Sequence, residues 1–211
     1  MANTFITMVN RIAAELRRSN MVSDIKNAIN DAIAREAGER FYFNEVRGEA
    51  DGYSFATVGG TEYYGDLGFT EVDAMYYYIG QTRYNIIPWN NLEANRIARG
   101  GPITTSQPVL YSRVAKKFRI WPKPTGVITI YVDGYGTLLP TPLANDADTN
   151  NWMTDGEMLI RACAKAILLK DVVRDYAEAA VYEAIADDYR QNFVDTSTRT
   201  SATDQLTATQ W

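Results

Sequence analysis

Residues 150–175 read NNWMTDGEMLIRACAKAILLKDVVRD. The stretch opens like a helix start and runs on like a core helix. Thr154 and Glu157 stand at the spacing of a capping box, in which each side chain bonds an orphan amide of the first turn. Asp155 adds negative charge at the positive end of the helix dipole. Beyond that start, Leu159, Cys163, Ala166, Ile167 and Lys170 fall on or near one stripe. Cys163, the only cysteine in the chain, therefore sits in mid-helix among apolar neighbours and reads as a buried thiol acting as a small hydrophobe. A nucleophilic cysteine wants a basic partner, and the chain contains no histidine.

Working outward, a polar link, LANDADTNN (143–151), precedes this helix, and Pro140 and Pro142 precede the link. A second helix is expected over 176–194, with Ala180, Ala184, Ile185, Tyr189 and Phe193 on one broad face. The N-terminal end is helical too. Phe5, Met8, Val9, Ile12, Ala13 and Leu16 recur at helical spacing behind Thr4, a cap residue. After a break at Ser19-Asn20, Val22, Ile25, Ile29, Ala32 and Ile33 form another stripe, with Gly38 where a helix C-terminus favours glycine.

Between the two ends the texture changes. YYYIGQTRYNII (76–87) reads as two strands joined at Gly80-Gln81, glycine first as a type II′ turn requires. NNLEANRIARGG (90–101) reads as a short capped helix. PVLYSRV, KFRIWP and GVITIYVDGYG are β-branched and aromatic, each bounded by turn residues, which makes five to seven strands in all. The last stretch, DTSTRTSATDQLTATQW, has almost no apolar content before Trp211 and is expected as a mobile tail. No internal repeat is present. The chain thus reads as α+β: an antiparallel helical bundle built from both chain ends, an inserted antiparallel β region and an extended C-terminal tail. The expected segments are 1–40, N-terminal helices; 41–140, the β region; 141–195, C-terminal helices; and 196–211, the tail.

Composition narrows the function. With no histidine, the Ser-His-Asp and Cys-His nucleophile arrangements, the common zinc sites and the usual general base are gone. An enzyme here would rely on carboxylates, lysine or tyrosine. A single cysteine excludes an internal disulfide. The net charge of −5 argues against a sequence-reading nucleic-acid binder but not against a protein that DNA slides past. No apolar run approaches the ~18 residues of a membrane span, and MANTFITMVN lacks the basic region and cleavage site of a Sec signal. No cofactor, metal or membrane is expected.

WMTDGEMLIRACAKAILLKDVVRD, with LANDADTNN before it, resembles the C-terminal helical signature of tailed-phage head-to-tail adaptor proteins: an acidic link, Trp, a TDGE-type cap, an IRA segment and a late Arg-Asp. The upstream order is similar as well, from two N-terminal helices and a tyrosine-rich β region to a Pro-x-x-Tyr stretch in PVLYSRV and the Pro-x-Pro of WPKP (121–124). The resemblance spans most of residues 4–195, and 152–175 is its most specific piece. It implies a non-enzymatic virion protein assembled in the host cytoplasm: a ring of twelve copies docked under the portal protein. The ring would continue the channel for double-stranded DNA and meet a tail or nozzle protein. The segment 196–211 would pack along the portal; apart from the resemblance, its only large apolar groups, Leu206 and Trp211, and the cation Arg199 read as its anchors.

Other candidates carry two readings each. Lys116, Lys117, Arg119 and Lys123 form either a basic strip facing the lumen or a neighbouring subunit, or a hairpin turn and the wet face of a strand. Tyr63-Tyr64 and Tyr76-Tyr77-Tyr78 would form a sugar or base platform, or pack in a core or against a subunit; Tyr77 points away from Tyr76 and Tyr78 in a strand. Asp146, Asp148 and Asn150 alternate like the start of a calcium loop but lack its glycine and distal glutamate, and Asp187-Asp188 is an acidic pair. The alternative functions are a virion carbohydrate-binding or host-contact module on the tyrosine-rich β region, and a carboxylate hydrolase.

Overall fold

A computed structural model describes residues 4–65, 67–90, 106–136 and 142–206, the backbone alone from residue 200 onward. The fold is α+β. The chain divides into two compact units, one of residues 1–45 with 137–211 and one of residues 46–136.

The first unit holds α1 (Phe5–Glu15), α2 (Val22–Glu36), α4 (Asn151–Thr154), α5 (Glu157–Ile167) and α6 (Tyr176–Leu206). α1 buries Phe5, Met8, Val9 and Ile12, one face of a 3.6-residue repeat. α2 buries Ile25, Ala28, Ile29, Ala32 and Ile33. α5 is buried almost all round, through Leu159, Ile160, Ala162, Cys163, Ala164, Lys165 and Ala166. It is the central helix, and its residues share one apolar cluster with α1, α2, Trp152 and Ala186 of α6. Trp152 meets Phe41 and Phe43 edge-on, Phe41 stacks on Phe43, and Phe193 packs edge-on against both phenylalanines, with centroids 5.1–5.9 Å apart.

The polar link before α4 closes this unit. The capping box of α1 is Thr4 with Thr7, and the next amides, Phe5 and Ile6, donate to the carbonyls of Asp148 (2.9 Å) and Asp146 (3.1 Å). Asn30 both donates to and accepts from the Leu143 backbone at 3.0 Å. The alternating DADTN stretch therefore supplies two carbonyls to the N-terminus of α1.

The opening stretch begins differently from its sequence reading. Thr154 is the last residue of α4, not a cap, and its hydroxyl donates to Asn151 O (3.3 Å) and sits 2.8 Å from an Asp155 oxygen. Asn150, itself a strong cap residue, starts the helix one turn earlier, accepting the Met153 amide at 3.1 Å. Burial of Trp152 and Met153 draws that turn into the core. α5 follows Gly156 without a side-chain cap. Glu157 instead pairs with Arg11 (2.6 Å) and Arg161 (3.1 Å).

Two further differences concern helix ends. α2 stops at Ala37 in a right-handed conformation, without using Gly38. A π-helical segment, Leu168–Val173, ends α5, and Arg174 turns the chain in the left-handed region with φ 62°. Asp175 then caps α6 by accepting the Glu178 amide at 3.0 Å. The late Arg-Asp pair is thus the turn between two helices. α6 presents Ala179, Tyr182, Ala186, Tyr189 and Phe193 inward, while Ala180 and Ala184 are exposed.

α6 also runs on to Leu206, so residues 196–206 are helical rather than an extended tail. Adding a residue to an existing helix gains one hydrogen bond without a new nucleus. Thr196, Ser197 and Thr198 donate back to the carbonyls of Asn192, Phe193 and Val194 at 2.7–2.9 Å, so their hydroxyls do not break the helix.

The second unit holds the short α3 (Gly48–Asp51) and strands β1 (Ser54–Ala56), β2 (Tyr63–Gly65), β3 (Glu71–Ile79), β4 (Thr82–Pro88), β5 (Leu110–Val114), β6 (Lys117–Trp121) and β7 (Thr129–Tyr135). They make one curled sheet of order β1-β7-β3-β4-β5-β6-β2. Its two ends approach each other: Phe55 of β1 lies 5.1 Å from Tyr64 of β2 and stacks on Phe118 of β6 at 5.9 Å. The β3–β4 hairpin turns at Gly80-Gln81 with only the glycine at positive φ, as a type II′ turn requires. Gly134 faces a bulge in β3 between Val72 and Ala74, where a side chain would strike the Glu71 carbonyl. One pair departs from the expected antiparallel pattern. β4 meets β5 in parallel through Ile87-Leu110 and Pro88-Tyr111, and the 21 residues numbered 89–109 between them are enough for the dozen or more that a parallel connection needs. The helix expected over 90–101 lies outside the described residues, apart from Asn90.

Candidate functional site

The four cations of the expected basic strip separate into two pairs. Arg119 is buried, and its Nε donates to Glu62 Oε1. Lys123 Nζ lies 3.8 Å from the other oxygen of Glu62. One carboxylate from the segment before β2 thus serves both. Lys116 and Lys117 occupy the β5–β6 turn and its first paired position, and both are exposed. The turn is a tight two-residue loop between Val114 and Lys117, with Ala115 at φ 48° and Lys116 at φ 59°. That is the type I′ pattern, which ordinarily selects Asn-Gly. Arg113, which the sequence reading did not single out, stands exposed beside the same turn. Its guanidinium donates to the carbonyls of Phe69 (2.6 Å) and Thr70 (2.9 Å) and lies 5.9 Å from the Phe118 ring centre. Glu62 and Arg113 were hidden because their roles depend on pairings across the sheet, which single-strand alternation does not reveal.

The tyrosine runs form no single platform. Tyr76 stacks on Tyr131 (5.6 Å) and meets Tyr78 edge-on (5.9 Å), whereas Tyr77 stacks on Tyr84 (5.5 Å). Tyr76 and Tyr77 are buried, and the Arg83 guanidinium covers the Tyr76 ring at 3.5 Å. Tyr64 is spent on a loop, its hydroxyl accepting the Val58 amide (3.1 Å) and lying within donating reach of Val58 O (3.1 Å) and Thr61 O (3.0 Å). Tyr63 stays half exposed at the edge strand. Tyr78 and Tyr131 line a shallow depression of about 330 Å³ with Ile79, Gln107, Val127 and Thr129.

In the helical unit the buried charges join helices. Glu36, 2% exposed, accepts both Arg190 Nε and Nη2 at 2.8 Å and Arg35 Nε at 3.0 Å. Burial pushes the Glu36 carboxyl up, but the hydrogen bonds from Arg190 and Arg35 outweigh it and hold the group below the usual carboxylate range. Cys163 donates to Glu36 Oε1 at 3.5 Å and accepts from Arg35 at 3.2 Å. Burial, with the Glu36 charge, pushes its thiol up to about 12. A thiol held protonated across the physiological range is no nucleophile. Lys165 reaches Glu15 and lies 4.7 Å from the Tyr182 ring centre.

Three of the acidic candidates are tied into structure as well, while Asp188 is exposed. Asp146 pairs with Lys26 at 2.6 Å. Asp148 accepts the amides of Asn145 (2.7 Å) and Ala144 (2.8 Å), which lower its pKa. Asp187 accepts from Arg190. Among the described residues no group of three or more Cys, Asp or Glu side chains is placed to hold a metal ion. No described helix is long and apolar enough to cross a membrane.

Of the three expected portal anchors, Arg199 is exposed on α6 and Leu206 is its last residue, while Trp211 lies outside the described residues. Near this end of the helix, Ser197 Oγ accepts the Tyr42 amide at 2.9 Å. Residues 3–209 match the SU10 adaptor protein family. No curated protein matches the chain.

Proposed function

The chain belongs to the SU10 adaptor protein family, and from that premise we propose that it forms a head-to-tail adaptor ring under the portal of a phage virion. Its work is assembly, with no catalytic step. Twelve copies pack side by side, extend the DNA channel and receive a tail or nozzle protein below. The match over residues 3–209 carries this reading, because it takes in the helical unit, the sheet unit and nearly all of the C-terminal segment.

The segment 196–211 docks on the portal through Arg199, Leu206 and Trp211. Support comes from the layout of α6. Phe193 is packed with Phe41 and Phe43, whereas the following residues are rich in threonine and serine and offer little to a core of their own. A tryptophan suits an anchor, since Trp is enriched among binding hot spots. The experiment is deletion of 199–211, which leaves the Ser197 contact in place. The shortened chain stays folded and binds purified portal protein at least about tenfold more weakly, the scale of one lost hot spot. Equal binding by the shortened and full-length chains contradicts the docking role.

A further inference from the structure

We infer, resting on the adaptor reading, that the tip of the β5–β6 hairpin contacts the phosphate backbone of duplex DNA. Lys116 and Lys117 carry the inference. Both are exposed, and no carboxylate of the described residues forms an ion pair with either. The neighbouring cations Arg119 and Lys123 are matched to Glu62, so the uncompensated charge of this strand pair is concentrated at the turn.

The backbone points the same way. Ala115 and Lys116 both hold the left-handed conformation, which disfavours any residue with a Cβ. Glycine would relieve the second position, yet a lysine stands there. Strain retained at a charged, exposed position is a reason to look for a ligand. The finger is also firm: β5 and β6 pair without interruption from Leu110-Trp121 to Val114-Lys117. Arg113 braces it by bonding the Phe69 and Thr70 carbonyls.

The chemistry fits phosphate rather than bases. Lysine ammonium groups act as point charges toward phosphate. Lys116 and Lys117 present no planar fork at the tip, so the contact reads no sequence. On a chain of net charge −5 such a contact is weak and salt-sensitive, as suits DNA that must move along it.

The test uses the full-length chain, K116A/K117A and K116E/K117E, with a fluorescent mixed-sequence duplex titrated at several salt concentrations. Portal binding and self-association are measured in parallel. The wild type is expected to bind at low salt, and the slope of log K against log salt falls by about 1.8 in the alanine variant, two phosphate contacts at about 0.9 each. The glutamate variant loses binding. An unchanged slope, or no wild-type binding at low salt, overturns the inference. So does a glutamate variant that still binds DNA but no longer self-associates, which would assign the tip to an acidic face of a second copy. Unchanged portal binding alongside any of these results leaves the adaptor reading standing.

Discussion

The helical unit and the sheet unit handle charge in different ways. In the helical unit, carboxylates and cations are used between helices: Glu36 with Arg190, Glu157 with Arg11, Glu15 with Lys165. In the sheet unit, Glu62 matches Arg119 and Lys123, but the hairpin lysines stay out in solvent at a strained turn. The first pattern joins elements and the second displays charge. The sheet unit is therefore the better place to look for contact with a polyanion, and the helical unit for the scaffold.

The largest effect expected lies in the helical core. Trp152, 1% exposed and wedged against Phe41 and Phe43, should cost about 4 kcal/mol when replaced by alanine. Denaturant unfolding measures it; a loss under 1 kcal/mol would mean that residues 151–154 do not anchor the unit.

Glu36→Ala comes next. Removing one partner of a buried pair leaves the others desolvated, at about 3 kcal/mol, less whatever water recovers around the partly exposed arginines. The sign with pH follows from the lowered carboxyl. Its stabilisation is present above the ordinary carboxylate pKa and is lost as pH falls through the lower value of the folded state. Melting temperature should therefore drop on acidification below about pH 4.5 more steeply in the wild type than in Glu36→Gln. Parallel profiles would show that Glu36 is not the ionised hub.

Two smaller effects sharpen the comparison. Asn150→Ala should cost about 1 kcal/mol while Thr154→Ala costs much less, since only Asn150 caps a helix. Equal costs would restore Thr154 to the role its spacing suggested. In the sheet unit, Ala115→Asn with Lys116→Gly should stabilise by about 1 kcal/mol by relieving two left-handed non-glycine residues. No gain would remove the strain from the case for Lys116.

Much of the helical unit was legible because its core repeats at the helix period: Phe5, Met8, Val9 and Ile12 are where the pattern puts them, as is Cys163. The Gly80 turn was legible because glycine at that position has one strong reason to be there. What escaped depended on competition or distance. Asn150 and Thr154 are both good caps, and burial of Trp152 chose between them. The continuation of α6 past residue 195 ran against its polar composition, which does not show hydroxyls bonding back along a helix already formed. The partition of the four cations required knowing that Glu62 lies beside β6, a contact set by sheet order and invisible along the strand.

The most direct test of the adaptor assignment is the mass of the full-length chain alone and mixed with purified portal protein, by native mass spectrometry. The expected result is a complex heavier than the portal by twelve copies of the 23.7 kDa chain. A chain that leaves the portal mass unchanged at every ratio would contradict it.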